Sequence, residues 1–270
     1  MIVIRSCRGF DEFEACVQMQ VETWGYDPTD MIPRKSFLVA QKIGGQVIGA
    51  FDTALAGAGP EGGPESMVGF AFSLPGIKTY PQGPMPYLHS HMLAVKEDHR
   101  NRGLGAQLKL KQRDEALSRG IRHMEWTFDP LQIKNAFLNI HKLGAFVCEY
   151  LVDFYGVSSS RLQGGLPTDR LVAQWRLGSQ RVVSALENCP AAVAIIEEQV
   201  IVPWSISEWK ASEAGRDRAL AVQLENRSKF QRAFKRGLAV LGFHRDAEGN
   251  GIFELGTPNQ ADLDPEPEGT

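Results

Sequence analysis

The sequence predicts an α/β fold, because short apolar strands alternate with amphipathic helices. Residues 2–6 form a short segment that begins with three β-branched residues, as expected of a strand. Residues 11–24 carry Phe13, Val17, Val21 and Trp24 at steps of four, four and three, which is the spacing of one helix face. Residues 92–108 combine both signals, since a short apolar strand runs through a glycine-containing turn into a helix. This strand–turn–helix unit is the most informative part of the chain.

The other elements follow the same alternation up to about residue 178. Strands are predicted at 37–43, 46–52, 66–74, 87–95, 123–128, 145–152 and 171–177, and helices at 103–120 and 133–143. Gly44-Gly45 indicates a hairpin between the first two of these strands. Residues 56–64 are expected to form a second hairpin tip, and residues 75–86, with four prolines and two glycines, a loop. In the helix 103–120, an apolar stripe is predicted at Ala106, Leu110 and Leu117.

Composition limits the function classes. The chain has 270 residues, of which 43% are hydrophobic, enough for one large core or two small ones. Its 29 Lys and Arg residues are fewer than its 32 Asp and Glu residues, so no nucleic-acid partner is expected. No apolar run approaches the ~18 residues of a membrane span, and the first residues lack a signal-peptide pattern. With four scattered cysteines and no Cys-x-x-Cys, these features predict a cytoplasmic protein without membrane association.

The turn between strand and helix is suited to an anion. It contains Arg100, Asn101, Arg102, Gly103, Leu104, Gly105 and Ala106. Glycines let backbone N–H groups converge, and a helix N-terminus adds partial positive charge, so the turn predicts a cradle for a pyrophosphate. A dinucleotide fingerprint would need a third glycine where Leu108 stands, and the Gly-Lys-Ser/Thr of a P-loop is absent. The alternative is a surface turn that only begins a helix.

The context of the turn has a counterpart in a known family. Leu93-x-Val95, four spacer residues and Arg100-x-x-Gly103-x-Gly105 resemble motif A of the GNAT (GCN5-related) N-acetyltransferase superfamily, whose loop holds the pyrophosphate of coenzyme A. The resemblance implies a GNAT-type mixed, twisted sheet flanked by helices. It also implies acetyl-coenzyme A or another acyl-coenzyme A as co-substrate. The cofactor-binding residues it implies are Leu93, Ala94, Val95, Arg100, Asn101, Arg102, Gly103, Leu104, Gly105, Ala106 and Asn135. For Asn135, an N-terminal helix cap is the alternative role.

Two histidines precede this motif on its strand. His89 and His91 are two residues apart and so should face the same side of the sheet, as should Leu93 and Val95 if no bulge intervenes. The spacing resembles that of arylalkylamine N-acetyltransferases, which implies a base or proton-relay role for both imidazoles. Core packing and shaping of a substrate pocket are the alternatives. No third ligand follows at a familiar spacing, so no metal is expected.

The chain departs from the family pattern in one place. Many members have a tyrosine that protonates the leaving thiolate at the position of Ile140 here. Tyr150 and Tyr155 are possible substitutes, and solvent is another proton source. His99 and His123 are expected at surface or turn positions.

The resemblance implies an N-acyltransferase that moves an acetyl or succinyl group to the amine of a small molecule, such as an amino acid, in a ternary complex. The acceptor is expected near Trp24, Tyr26 and Tyr87. The alternatives are a non-catalytic acyl-coenzyme A sensor and a protein lysine or N-terminal acetyltransferase. A homodimer is left open.

The domain organisation predicted is an acyltransferase core at 1–178, a C-terminal α/β extension at 179–257 packed on the core, and a disordered acidic tail at 258–270. Within the extension, the pattern predicts a strand at 192–203, a mostly helical segment at 212–241 and a short strand at 251–255.

Overall fold

The computed structural model describes residues 1–55, 57–189 and 195–259. The strands there are β1 (Ile2–Ser6), β2 (Gln46–Asp52), β3 (Met67–Tyr80), β4 (Gly83–Val95), β5 (His123–Phe128), β6 (Phe146–Leu151), β7 (Arg170–Arg176), β8 (Ile196–Val202), β9 (Ala239–Arg245) and β10 (Gly251–Gly256). The helices are α1 (Gly9–Trp24), α2 (Arg34–Lys42), α3 (Leu104–Ser118), α4 (Ile133–Ala136, continued by a π-helical turn Phe137–Lys142), α5 (Gln180–Leu186), α6 (Ile206–Ala211) and α7 (Glu213–Lys235).

The mixed α/β class with helices around a sheet is confirmed. Within the described ranges, no helix is long and apolar enough to cross a membrane. Parts of three predicted segments lie outside the described residues: residue 56 of the second hairpin tip, residues 192–194 of the strand 192–203, and residues 260–270 of the tail.

The chain divides into two compact units. The first contains Met1–Met124 and Ser159–Arg161, and the second contains Glu125–Ser158 and the described residues from Leu162 onward. The predicted boundary at residue 178 is a different division and stays a prediction.

The first unit is built on four antiparallel strands in the order β1-β2-β3-β4. One face of these strands packs against α1 and α2 through Phe13, Phe37 and Phe72, which are almost fully buried. The opposite face packs against α3 through Leu104 and Leu108. Neighbouring residues of β2 belong to the two different faces, as the period-2 alternation of a strand requires.

The prediction of a strand at 37–43 is wrong, because α2 occupies Arg34–Lys42. The apolar run Phe37-Leu38-Val39-Ala40 looks like a buried strand, but only Phe37 and Ala40 are buried. Their spacing of three is helical, and Leu38 and Val39 remain exposed. The core therefore contacts one stripe of a helix and not one face of a strand.

The predicted loop at 75–86 is also wrong. β3 continues to Tyr80 and β4 begins at Gly83, so the two strands form a ribbon that extends past the last β2 partner, Ser73. Pro75, Pro84 and Pro86 are paired within this ribbon. Proline is compatible with strand pairing where its missing N–H would face away from the partner, and a two-stranded ribbon offers such edges.

The second unit contains the strand order β7-β6-β9-β10-β8, with β5 beside β7. Residues on both sides of position 178 therefore contribute strands to it. The predicted helix at 212–241 ends at Lys235, and β9 follows, because Gly237 takes a left-handed φ of 83° and stops the helix. The pattern missed α5 and α6, which are only one to two turns long.

A buried ion pair anchors α7 in this unit. Asp169, fully buried, accepts hydrogen bonds from Nε and a terminal nitrogen of Arg227 at 2.8 and 2.9 Å. Tyr150 donates to the same carboxylate at 2.5 Å. A buried carboxylate needs such partners, because leaving it unpaired is costly.

We expect Arg227→Ala to lower the free energy of unfolding by about 2 kcal/mol, because the buried Asp169 would lose both hydrogen bonds from the guanidinium group. Chemical denaturation measures the change. Arg232→Ala, an exposed position on the same helix, should stay within about 0.5 kcal/mol of the parent protein. Equal losses in the two variants would contradict an anchoring role for the pair.

Candidate functional site

The strand–turn–helix unit forms as predicted. β4 ends at Val95, a short 3₁₀ turn covers Glu97–His99, and α3 begins at Leu104. Asn101 and Gly103 have left-handed φ values of 60° and 79°. No side chain caps α3 at its N-cap, Gly103. Because the first N–H groups of a helix have no partner within it, this terminus presents unused donors.

Buried side chains hold the turn against the sheet. Leu104 is 3% exposed and packs with Leu108 against the sheet. His99, expected at a surface or turn position, lies in the turn but is buried. Its ring bonds Asp98 at 2.7 Å and Asp52 of β2 at 3.3 Å. The contact with His99 lowers the pKa of the Asp98 carboxyl group. The His99–Asp52 contact therefore connects the start of the turn to β2.

The exposed part of the turn fits a diphosphate group. Arg100, Asn101, Arg102 and Gly103 are all exposed. Arg100 donates from Nε to the carbonyl oxygen of Val95 at 3.0 Å, which orients its guanidinium group over the end of β4. A Cβ atom at Gly103 would enter open space, with Gln107 Nε2 as its nearest neighbour at 3.9 Å. Open space, uncapped N–H groups and two guanidinium groups are what an anion requires.

The strand residues implied as cofactor contacts lie just before this turn. Ala94 is buried toward α1 and α2. Leu93 and Val95 pack on the α3 side with Leu104. A role of their backbone groups in holding the cofactor stays a prediction.

The histidine pair lies on one face of β4, as predicted. The ring centroids of His89 and His91 are 6.0 Å apart, and both side chains are half-buried. The ring of His91 meets that of Phe72 edge to face at 6.1 Å, which places the pair on the α1–α2 side.

A β-bulge then changes the alternation of the strand. Ser73 pairs with Ser90 and Phe72 pairs with Met92, so His91 is the extra residue. His91 and Met92 consequently share the α1–α2 side. Leu93 and Val95 turn to the α3 side, so they do not share a face with the histidines.

Burial sets the protonation of His91. Burial, and secondarily the neighbouring His89, lowers its pKa from 6.5 to about 4. At neutral pH the imidazole is therefore uncharged and offers one donor and one acceptor nitrogen. Such a ring is suited to relaying or orienting a proton, since it holds no charge of its own.

The predicted acceptor residues Trp24 and Tyr26 belong to the same side of the sheet. Their rings stack at 5.4 Å, and Trp24 meets Phe70 at 6.4 Å. A continuous row of ring contacts links them to the histidine pair; its members are Tyr26, Trp24, Phe70, Phe37, Phe72, His91 and His89. The side of β4 that carries the imidazoles is therefore largely aromatic.

Tyr87, the third predicted acceptor residue, stacks on His123 at a centroid distance of 5.7 Å. His123 is 2% exposed, so its predicted surface position is wrong. The hydroxyl group of Tyr80 lies 2.5 Å from His123 Nδ1. These contacts fix the β3–β4 ribbon against the first residue of β5 within the first unit.

The remaining predicted residues lie in the second unit. Asn135 does not cap α4, since Gln132 is the N-cap residue; its amide donates to Gln132 Oε1 at 2.7 Å. Ile140 is 3% exposed in the π-helical turn. Burial and the bond to Asp169 raise the pKa of Tyr150, which disfavours it as a proton donor or relay. Tyr155 is exposed and bonds Thr127 Oγ1 at 2.9 Å.

Sequence reasoning missed a buried polar cluster on the α3 side of β4. The predicted stripe on α3 is wrong, because Lys109 and Gln112 point inward together with Leu104, Leu108 and Ala116. Counting apolar residues cannot find a buried face that carries an amine and an amide. Within the described ranges, no group of three or more His, Cys, Asp or Glu residues is arranged to hold a metal ion.

We compared the chain with known proteins and with solved structures. No family model matches the chain, and no curated protein matches it. The chain is similar to the crystal structure of Arabidopsis thaliana NAA60 in complex with acetyl-CoA, with a TM-score of 0.52 and 15% identity over 65% of this chain and 98% of that chain. The ribosomal-protein-S18-alanine N-acetyltransferase from Escherichia coli gives a TM-score of 0.47 and 16% identity over 66% of this chain and 94% of that one. The chain therefore shares the fold of this NAA60 structure.

The low pKa of His91 has a consequence for stability. As pH falls from 6.5 toward about 4, an unfolded chain binds a proton at this side chain and the folded chain does not. The free energy of unfolding should therefore decrease over that window, by up to about 3 kcal/mol from this group, and level off below it. Denaturation at a series of pH values measures the slope.

His91→Asn should remove this part of the pH dependence. The control is His244→Asn, which makes the same substitution at a side chain that is 46% exposed. An unchanged slope in His91→Asn would show that burial does not hold His91 uncharged.

Proposed function

We propose that the protein is a coenzyme A-dependent N-acyltransferase that acts on the amine of a small molecule. The observation that carries the proposal is the uncapped start of α3, with Gly103 and two exposed arginines, directly after a strand that bears two imidazoles. The fold shared with NAA60 is compatible with it. Acetyl and succinyl groups both remain candidates for the acyl donor.

A bound acyl-coenzyme A would supply a thioester that an amine can attack at its carbonyl carbon. The N–H groups at the start of α3 would bind its diphosphate, with Arg100 and Arg102 adding charge-assisted donors. An amine is mostly protonated at neutral pH, so His89 would take a proton before the attack. The uncharged ring of His91, 6.0 Å away, would orient His89 or pass the proton on.

The departing thiolate needs a proton. Ile140, at the position where the resembled family has a tyrosine, cannot donate a proton. The hydroxyl group of Tyr150 already donates its hydrogen bond to Asp169. Solvent is therefore the proposed proton source, since a thiolate needs only a weak acid.

The acceptor is proposed to bind on the α1–α2 side of β4. Trp24 and Tyr26 supply aromatic surface on this side and connect to His91 through a row of rings. Tyr87 lies two residues before His89 on the same strand. Such a surface favours a small amine with an apolar or planar part over a charged peptide.

A second candidate is a non-catalytic module that senses acyl-coenzyme A, and Ile140 favours it. Turnover separates the two. We propose to measure release of free thiol with a panel of acyl donors and amine acceptors, including an amino acid set and a peptide with a free N-terminus. Amine-dependent thiol release supports the enzyme, whereas tight acyl-coenzyme A binding without release with any amine supports the sensor.

We expect Gly103→Val to abolish coenzyme A binding in calorimetry, because a side chain would fill the space in front of the N–H groups. The φ of 79° also strains any residue with a Cβ atom, at about 1–2 kcal/mol. Gly120→Val is a matched control, because Gly120 has a φ of 74° and open space around it but ends α3 instead of starting it. Equal affinity in the two variants would exclude the cradle.

We expect His89→Ala to lower kcat by about 10²-fold with little change in the affinity for acyl-coenzyme A, as for loss of a positioned base. The readouts are steady-state kinetics over a pH series and calorimetry. A rate close to that of the parent protein at every pH would leave His89 with a packing role.

A further inference from the structure

The polar cluster between α3 and β4 has no role in the function proposed above. Lys109 is 3% exposed and donates from Nζ to Ser90 Oγ at 2.8 Å. Ser90 donates in turn to Gln112 Oε1 at 2.9 Å. Gln46 donates to the carbonyl oxygen of Gln112 at 2.9 Å and accepts from Ser73 at 3.0 Å. The cluster thus joins α3 to three strands through side chains that a core does not ordinarily contain.

Ser90, at the centre of the cluster, lies between His89 and His91 in the sequence. Ser90 faces α3, and the flanking residues of a strand face the opposite side, so its placement aims His89 and His91. It also borders the bulge, since the Ser73–Ser90 pair is the last one before the extra residue His91. A shift by one residue would send each histidine to the other side of the sheet.

Burial of apolar surface does not determine which side of the sheet Ser90 faces. A serine side chain buries little surface, so its two hydrogen bonds are what distinguishes its present side from the opposite one. One of these bonds comes from Lys109, and the burial of that amine is costly. Burial lowers the pKa of Lys109 well below its ordinary value, so the site favours an uncharged amine.

Stability alone does not explain a lysine here. A methionine would fill a similar volume without the cost of desolvation, and the hydroxyl group of Ser90 could still donate to Gln112. Replacement of buried polar groups by apolar ones of similar shape is often neutral or stabilising. A role in positioning other side chains therefore explains Lys109 better than a contribution to the stability of the fold.

We propose that Lys109 is a positioning residue for the histidine pair: through its bond to Ser90 it fixes the bulge in β4 and aims His89 and His91 at the α1–α2 side. The catalytic part of this inference rests on the proposed function. The positional part concerns the chain alone and has its own readout.

The test uses Lys109→Met and Ser90→Ala in the full-length protein. Lys109→Met removes the donor, whereas Ser90→Ala removes the acceptor and leaves the amine in place. Lys111→Met, two residues along α3 and exposed, is the matched control. The first readout is the titration of the His91 imidazole by NMR, which requires no activity.

In the parent protein His91 should titrate near pH 4. Loosening of the bulge would admit water to the ring, so both variants should raise its titration midpoint by about one pH unit or more. Ser90→Ala excludes a direct effect of the lost amine, because it keeps Lys109. Lys111→Met should leave the midpoint unchanged.

The second readout is kinetic. Lys109→Met and Ser90→Ala should each lower kcat about tenfold or more, with an unchanged dissociation constant for acetyl-coenzyme A, and the double variant should be no worse than either alone. Lys109→Met should match or exceed the parent protein in unfolding free energy, which a merely structural lysine would not allow.

The outcomes separate the two proposals. An unchanged His91 titration in both variants overturns the positioning role and leaves the proposed function standing. A parent protein that binds no acyl-coenzyme A overturns the proposed function, while a shifted His91 titration would still support the link from Lys109 to the histidine.

Discussion

One extra residue in β4 separates the two functions that this strand serves. Before the bulge, His89 and His91 face α1 and α2; after it, Leu93 and Val95 face α3 and pack against Leu104. The same strand can therefore hold the start of α3 on one side and present imidazoles on the other. Without the bulge, the alternation of the strand would place the histidines and the α3 anchors on one face.

The start of α3 is held by its surroundings and not by a cap. A capping side chain would stabilise the helix but would also consume the N–H groups that the site leaves exposed. The left-handed Asn101 adds local strain, which persists only where neighbouring groups fix the backbone, whereas Gly103 adopts the same region without strain. Buried Leu104 and His99 provide that support, so the donors remain available without loss of order.

The sequence predicted the parts of the molecule that depend on local pattern. The strand–turn–helix unit and the shared side of His89 and His91 follow from short-range spacing. The bulge does not, since it depends on the register between β3 and β4. The inward position of Lys109 escaped prediction because residue type alone assigns lysine to the surface, and α2 was misread because its four consecutive apolar residues conceal a spacing of three. In each case a tertiary contact decided between local alternatives.

The prolines of the β3–β4 ribbon have a consequence for solubility. The ribbon extends past β2, and a long exposed strand edge invites hydrogen bonding with a second polypeptide. Pro75, Pro84 and Pro86 carry no amide hydrogen, so each removes a donor that an incoming strand would need. These prolines, which suggested a loop in the sequence, therefore disfavour intermolecular β-aggregation at this edge.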